Sequence, residues 1–324
     1  QNVGAAGGGD ESPPGRRYPV RQNRGQLPAR YIAQAAALRN IIVPESYEEA
    51  MTSKEAVHWQ QAMDEEIVSL TANDTWDLVK PPLGLNVIPT KWVYAVKRNA
   101  DGEIERYKAR FVAKGFRQKE GIDFDEVFAP TCNQVTVRSF LAMATEKGYD
   151  IQHLDVRTAF LNGELEEEVY CDQPPGYEAG GAGMKCKLKR ALYGLRQASR
   201  AWHKKLRGTL EQLGFQVSMS DPALFVSYGQ SYTIWLLVHV DDLLMMGSNK
   251  VEVQTMKEKL MREYDMRDLG EVSLFLGMEV ERNKAGGELK LTQRRYAAEL
   301  LQRFRMAEAK EQSIPLSPTV DLRA

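Results

Sequence analysis

The run LLVHVDDLLM sets two adjacent carboxylates, Asp241 and Asp242, inside a stretch otherwise suited to two buried strands. An ionised carboxylate costs several kcal/mol to bury unless a cation or hydrogen-bond donors compensate it. The pair therefore reads either as an exposed two-residue turn, which adjacent aspartates form readily, or as part of a cation site, and taken alone it favours the turn. Asp155, 86 positions upstream in HLDVRTAF, shifts the balance, because it too is an acid among strand-forming apolar residues. Three hard oxygen donors from two strand ends, with no His or Cys cluster, suit Mg2+ or Mn2+ better than zinc. Two such ions, roughly 3.5 to 4 Å apart, activate a hydroxyl and stabilise a leaving phosphate in an in-line displacement, chemistry that polymerases and nucleases share.

Polyanion chemistry also needs cations, and two segments supply them. Residues 91–120 carry nine Lys or Arg against four acids, a local balance of +5. Residues 179–210 carry nine more (Lys185, Lys187, Lys189, Arg190, Arg196, Arg200, Lys204, Lys205 and Arg207) and no acid. Such stretches neutralise phosphates and release counterions, or they form an ordinary solvated helix face.

The elements that position these groups follow from periodicity. Ala56, Trp59, Met63, Ile67 and Leu70 predict a helix from an N-cap at Ser53 to Asn73. KWVYAVKR and IERYKARFVAKGF read as strands joined through Asp101-Gly102, a positive-φ hairpin turn. Val137, Phe140, Leu141 and Ala144 mark a helix closed by Gly148, followed by a strand at IQHLDV and the Pro- and Gly-rich loop QPPGYEAGGAG. A third helix starts near Ser199, buries Trp202, Leu206, Leu210 and Leu213, and ends at Gly214. Strand-like ALFVSY, YTIWLLVHV and LLMMGS come next. Two further helices carry Val253, Met256, Leu260 and Tyr264, and Tyr296, Leu300 and Phe304. Helices mixed with antiparallel hairpins give an α+β class.

Composition excludes other classes. The 324 residues have a net charge of −1, so any nucleic-acid surface is local. No apolar run approaches the roughly 18 residues of a membrane span, and no membrane partner is expected. Cys132, Cys171 and Cys186 are odd in number and form no C-x-x-C pair, which disfavours a disulfide framework and fits a reducing compartment. The Gly-, Pro- and Arg-rich start reads as a flexible basic linker over residues 1–45, with no secretory signal in it.

DVRTAFLNGELEEEVY, KLKRALYGLRQASRAWHKKL and LLVHVDDLLMMGS, in that order, resemble the reverse transcriptase of copia-type (Ty1/copia) LTR retrotransposons. The likeness runs from about Trp59 to Pro318, through KWVYAVKRNADGEIERYKARFVAKGFRQKEGIDFDEVFAPT, FLGMEVERN and LTQRRYAAELLQRF. It implies a right-hand polymerase: fingers at 46–133 and 163–199, palm at 134–162 and 200–279, and the start of a thumb or connection at 280–324. By motif, Asp155 and Asp241 hold the metal ions, Asp242 is the supporting second acid, and Val156 lends its carbonyl. Phe160 would block a ribose 2′-hydroxyl, so the substrate would be dNTP. Lys97, Lys108 and Arg110 would meet the triphosphate, Gln197 and Arg200 would lie along the nucleotide, and Phe275, Leu276 and Gly277 would form a primer grip.

The implied partners are an RNA template, a DNA or RNA primer and dNTPs, with Mg2+ or Mn2+ as two ions. Integrase and ribonuclease H modules are expected upstream and downstream in such polyproteins, and neither is expected within this chain, whose likeness runs to about PLSP. The implied compartment is the cytoplasm, in a virus-like particle, or the nucleus. The chain departs from the family pattern at His239 (usually Tyr), Ser199 (Pro), Cys171 (Met) and Arg305 (Gly). His239 sets an imidazole beside two carboxylates, where a change in the template-facing turn is expected. Polymerase activity is the leading expectation; a catalytically silent or domesticated nucleic-acid-binding remnant of the same fold is the alternative, and a metal-dependent nuclease ranks below both.

Overall fold

A computed structural model of the chain describes residues 41–98 and 103–309. The basic linker up to residue 40, the Asp101-Gly102 turn and the PLSP segment lie outside the described residues.

Helix α1 (Tyr47–Thr52) starts at Ser46, whose hydroxyl accepts the Glu49 N–H. Ser53, the expected N-cap of the next helix, instead closes this one: its N–H and its hydroxyl both donate to the Ala50 carbonyl. Helix α2 (Ala56–Ala72) therefore begins at Glu55 without a side-chain cap. It buries Trp59, Met63 and Leu70, as its periodicity requires, and also Glu66. After β1 (Trp76–Val79) and β2 (Val87–Ile88) come β3 (Thr90–Arg98) and β4 (Ile104–Ala113), an antiparallel pair in register from Thr90 opposite Ala113 to Lys97 opposite Arg106, with a shift before Arg98 opposite Ile104. Alternation turns Trp92, Tyr94, Ala109 and Phe111 into a core shared with α2. The opposite face carries Lys97 across from Arg106, with Lys108 and Arg110 further along.

Helix α3 (Gln134–Lys147) is capped by Asn133 and closed by Gly148 in the left-handed conformation, as expected. Beyond β5 (Gln152–Val156) and a 3-10 turn at Ala159–Asn162, strands β6 (Glu164–Cys171) and β7 (Lys185–Arg190) complete a four-stranded sheet of order β1-β7-β6-β2. Cys171 and Cys186 face each other across it as buried free thiols. Helix α4 (Ala198–Gln212) buries Trp202, Leu206 and Leu210.

Strands β8 (Phe215–Val217), β9 (Leu224–Tyr228), β10 (Thr233–His239) and β11 (Asp242–Gly247), helix α5 (Lys250–Glu263) and β12 (Met266–Glu271) follow. With β5 they form a six-stranded sheet of order β12-β5-β11-β10-β9-β8, all of its pairings antiparallel. One core packs α4 and α5 against it through Leu154, Trp202, Leu243 and Leu260; another gathers Phe140, Leu141, Leu244 and Phe275. Strands β13 (Leu274–Phe275), β14 (Met278–Asn283) and β15 (Glu288–Thr292) make a small antiparallel sheet, and Val280 of β14 belongs to that second core. Helix α6 (Arg294–Arg303) buries Ala298, while Tyr296 and Phe304, expected on its packed face, are exposed. Arg305 has φ +55° just past this helix, a left-handed position that favours glycine and accounts for the family's usual residue there. No described helix is long and apolar enough to cross a membrane.

Candidate active site

Strands β5 and β11 lie side by side with Asp155 directly opposite Asp242, and β12 flanks Asp155 with Arg267. The β10–β11 hairpin turns through Val240 and Asp241, so Asp242 opens a strand rather than completing an Asp-Asp turn. Val240 sits at φ +57°, a left-handed conformation that costs a β-branched residue of order 1–3 kcal/mol. Two bonds hold the turn: Trp202 Nε1–H donates to the Val240 carbonyl at 2.7 Å, and the Val156 N–H donates to the Asp241 carbonyl at 2.8 Å. The core tryptophan of α4 thereby fixes where Asp241 points.

Asp241 touches solvent at the turn, yet the protein crowding its flanks removes enough water to raise its carboxyl above the usual range. Its own N–H and Arg110 oppose that rise, whereas the charges of Asp242 and Asp155 add to it. Mutual repulsion among three carboxylates is what a divalent cation would relieve. Among the described residues no group of three or more His, Cys, Asp or Glu side chains is placed to hold a metal ion. Carboxylate oxygens are nevertheless the hard donors Mg2+ takes, and it seldom uses an all-protein shell, so the donor types fit.

Asp242 is turned toward a partner that sequence reasoning missed. His153 Nε2 lies 2.9 Å from Asp242 Oδ1, the diagonal neighbour across β5 and β11. Its signal was available: residues 153 and 155 share a face of the same strand. His239 does not contact the carboxylates in this way; its Nδ1 lies 3.3 Å from Cys132 Sγ.

The nucleotide candidates gather in part. Arg110 lies with its guanidinium 4.4 Å from the Tyr193 ring centroid, and that ring meets Phe160 at 5.0 Å. Burial pushes the Tyr193 hydroxyl up to about 12, with Arg110 opposing and Glu66, Asp241 and Asp155 reinforcing the shift. Tyr193, unremarked in the sequence, thus joins Arg110 and Phe160 beside the aspartates. Lys108 is lowered to about 8 by burial and by Arg110, Arg106 and Lys97, while Lys97 is exposed nearer the turn.

Gln197 has no free end: its Oε1 accepts from Gln118 Nε2 at 3.0 Å and its Nε2 donates to the Asp123 carbonyl at 2.8 Å. Arg200 pairs with Glu126 at 2.7 Å and with Glu166 at 3.7 Å. Phe275 is a core residue edge-on to His153, with ring centroids 5.8 Å apart. Leu276 and Gly277, at φ +48° and +75°, make the β13–β14 turn.

The expected basic surface over residues 179–210 is corrected by the fold. Glu164, Glu166 and Glu168 alternate along β6 and meet Arg190 and Lys205, Lys204 and Arg200, and Lys187. Lys185 pairs with Asp172, Lys189 with Asp74 and Asp77, and Arg207 with Glu211. Arg196 donates to the Gly115 carbonyl and covers the Phe124 ring. The acids were absent from the window but not from the strand beside it. A cavity of about 590 Å³ between Thr90, Asp172 and Met184 includes none of the three aspartates.

The family described as reverse transcriptase (RNA-dependent DNA polymerase) matches residues 73–318. The chain is 41% identical over 276 residues to the retrovirus-related Pol polyprotein from transposon TNT 1-94 of Nicotiana tabacum, an alignment covering 85% of this chain and 21% of that protein. It is 40% identical over 266 residues to the Pol polyprotein from transposon RE1 of Arabidopsis thaliana, covering 82% and 18%. The Ty1-NL1 Gag-Pol polyprotein of Saccharomyces cerevisiae matches at 25% over 281 residues, covering 84% and 15%. The chain spans about a fifth of the length of the plant polyproteins it matches. An aspartate pair registered across neighbouring strands, set in a sequence shared with these polyproteins over four-fifths of its length, makes the chain a member of the reverse transcriptase (RNA-dependent DNA polymerase) family, of the kind carried by copia-type transposons.

Proposed function

We propose that the chain is an RNA-directed DNA polymerase that extends a primer 3′-hydroxyl with dNTPs. The observation that carries this reading is Asp155 on β5 opposite Asp242 on β11, with Asp241 in the adjoining turn. In the proposed division of labour the six-stranded sheet with its helices is the palm, and the four-stranded sheet with β3 and β4 is the fingers. The β13–β15 sheet and α6 begin a thumb or connection.

Asp155 and Asp241 would hold Mg2+ or Mn2+, with Asp242 supporting. When bound, two such ions lower the charge on the reacting phosphate and favour the hydroxyl's attack. The chain's own part is positioning. Trp202 and Val156 fix the turn that carries Asp241, and His153 fixes Asp242. Arg110, Lys108 and Lys97 line one face of a hairpin and bind the triphosphate as cations. Phe160, braced by Tyr193, stands where the sugar would lie and rejects a 2′-hydroxyl by bulk. The Val156 carbonyl would lie on the nucleotide side of the site.

Gln197 orders the 118–123 segment around the start of α4, and Arg200 lies at the rim. Phe275 anchors the Leu276-Gly277 turn that would meet the primer. Template RNA, primer and dNTPs are the partners, with integrase and ribonuclease H as neighbouring polyprotein modules, acting in the cytoplasm, in a virus-like particle, or in the nucleus. Primer extension on an RNA template with dNTPs and Mg2+ or Mn2+ tests the reading.

A further inference from the structure

Glu66 of α2 is a buried carboxylate, 6% exposed, on a helix whose other buried positions are mostly apolar. Burial raises its pKa, and Arg110, the Phe111 N–H and Lys108 counter that rise. Its two oxygens are used differently. Oε1 accepts the Phe111 N–H at 3.3 Å, capping the open edge of β4, while Oε2 lies 3.5 Å from Arg110 Nη1. The same guanidinium packs over Tyr193, which packs on Phe160. Arg110 is therefore fixed from two sides, by a carboxylate from α2 and by an aromatic face beside the sugar position. A long, flexible side chain bound at two points enters a complex with less rotamer entropy to lose.

We propose that Glu66 is a positioning residue for nucleotide binding: it holds the Arg110 guanidinium over Tyr193, aimed at the triphosphate. The proposal rests on the polymerase reading through Arg110 and extends the site to a helix outside the aspartate sheet. Glu66 touches no substrate. Its effect passes through Arg110, so it belongs to dNTP affinity and not to the chemical step.

The test uses the full chain as Glu66→Gln, Arg110→Ala and the double variant. Glutamine keeps an oxygen for the Phe111 N–H and removes the negative charge that faces the Arg110 guanidinium. Binding of a fluorescent (mant-labelled) dNTP to the chain on primer–template and single-nucleotide incorporation are measured side by side. Glu66→Gln is expected to weaken dNTP binding and raise KM about tenfold, with kcat within about twofold and an unfolding midpoint near the parent's. In the Arg110→Ala background the same change is expected to do nothing further.

Unchanged KM with a lowered unfolding midpoint, or an effect that persists fully without Arg110, overturns the proposal. Parent chain that binds dNTP without incorporating it defeats the polymerase reading alone, because the binding cycle still reports on Glu66. Parent chain that does not bind dNTP overturns both.

Discussion

His153 Nε2 stands 2.9 Å from Asp242 Oδ1, and the Phe275 ring packs edge-on to the imidazole, so the second acid is held by a side chain of the same sheet. In the proposed site Asp242 supports the two metal-holding aspartates, and partners that orient such outer carboxylates typically carry 10–100-fold in metal affinity. His153→Phe is therefore expected to shift the Mg2+ midpoint of primer extension upward by about tenfold, while duplex binding persists. An unchanged midpoint would remove His153 from the site.

Phe160 and Tyr193 predict a separable change in substrate choice. Phe160→Ala removes bulk and leaves the aspartates in place, so ribonucleotide incorporation should rise at least about tenfold relative to dNTP, roughly 1.4 kcal/mol of lost discrimination. Competition between dNTP and NTP on one template measures it, and a constant ratio would assign Phe160 to the core alone.

If Lys108 meets the triphosphate as proposed, nucleotide binding is expected to depend on pH. Its pKa of about 8 lies below that of a free lysine, so in the unliganded protein the cation is lost as pH rises through about 8. A triphosphate restores the charge and takes up a proton. Affinity for dNTP should fall from pH 7.5 to 9, and Lys108→Arg should flatten that fall, since a guanidinium stays charged throughout. The same depressed value means the unfolded chain binds more protons between about 8 and 10.4, so this residue makes stability rise with pH across that window.

The glutamates of β6 reverse an expectation about salt. Because Glu166 pairs with Lys204 and Arg200, removing it should free cations for phosphate. Glu166→Gln is expected to tighten binding to an RNA/DNA duplex and to steepen the salt dependence by up to about one unit of slope. Stability should move little, since exposed pairs contribute about 0–1 kcal/mol. Weaker binding would show that Glu166 supports the surface instead of masking it.

Local sequence carried much of this arrangement because the relevant forces are local. Gly148, Gly214 and the apolar faces of α2, α3 and α4 were legible from caps and periodicity, and the strand-end placement of Asp155 and the turn placement of Asp241 from acids set among strand residues. What escaped depends on pairing. ELEEEV reads as an acidic strand and residues 185–207 as a basic segment, and only the docking of β6 against β7 and α4 shows that they neutralise each other. His153 and Asp242 are likewise 89 residues apart and meet through strand register. Ser53 misled because a serine caps either end of a turn, and a short preceding helix claimed it. Gln197 has the polarity of a ligand-binding residue, but burial assigned both ends of its amide to the protein.

The most direct test of the central claim is primer extension by the purified chain on an RNA template with dNTPs and Mg2+, beside Asp155→Asn and Asp241→Asn. The account predicts extension by the parent and its loss, by at least about a thousandfold, in both variants while each still binds the RNA/DNA duplex. Extension that survives either substitution, or a parent that binds duplex tightly and never extends the primer, would contradict it.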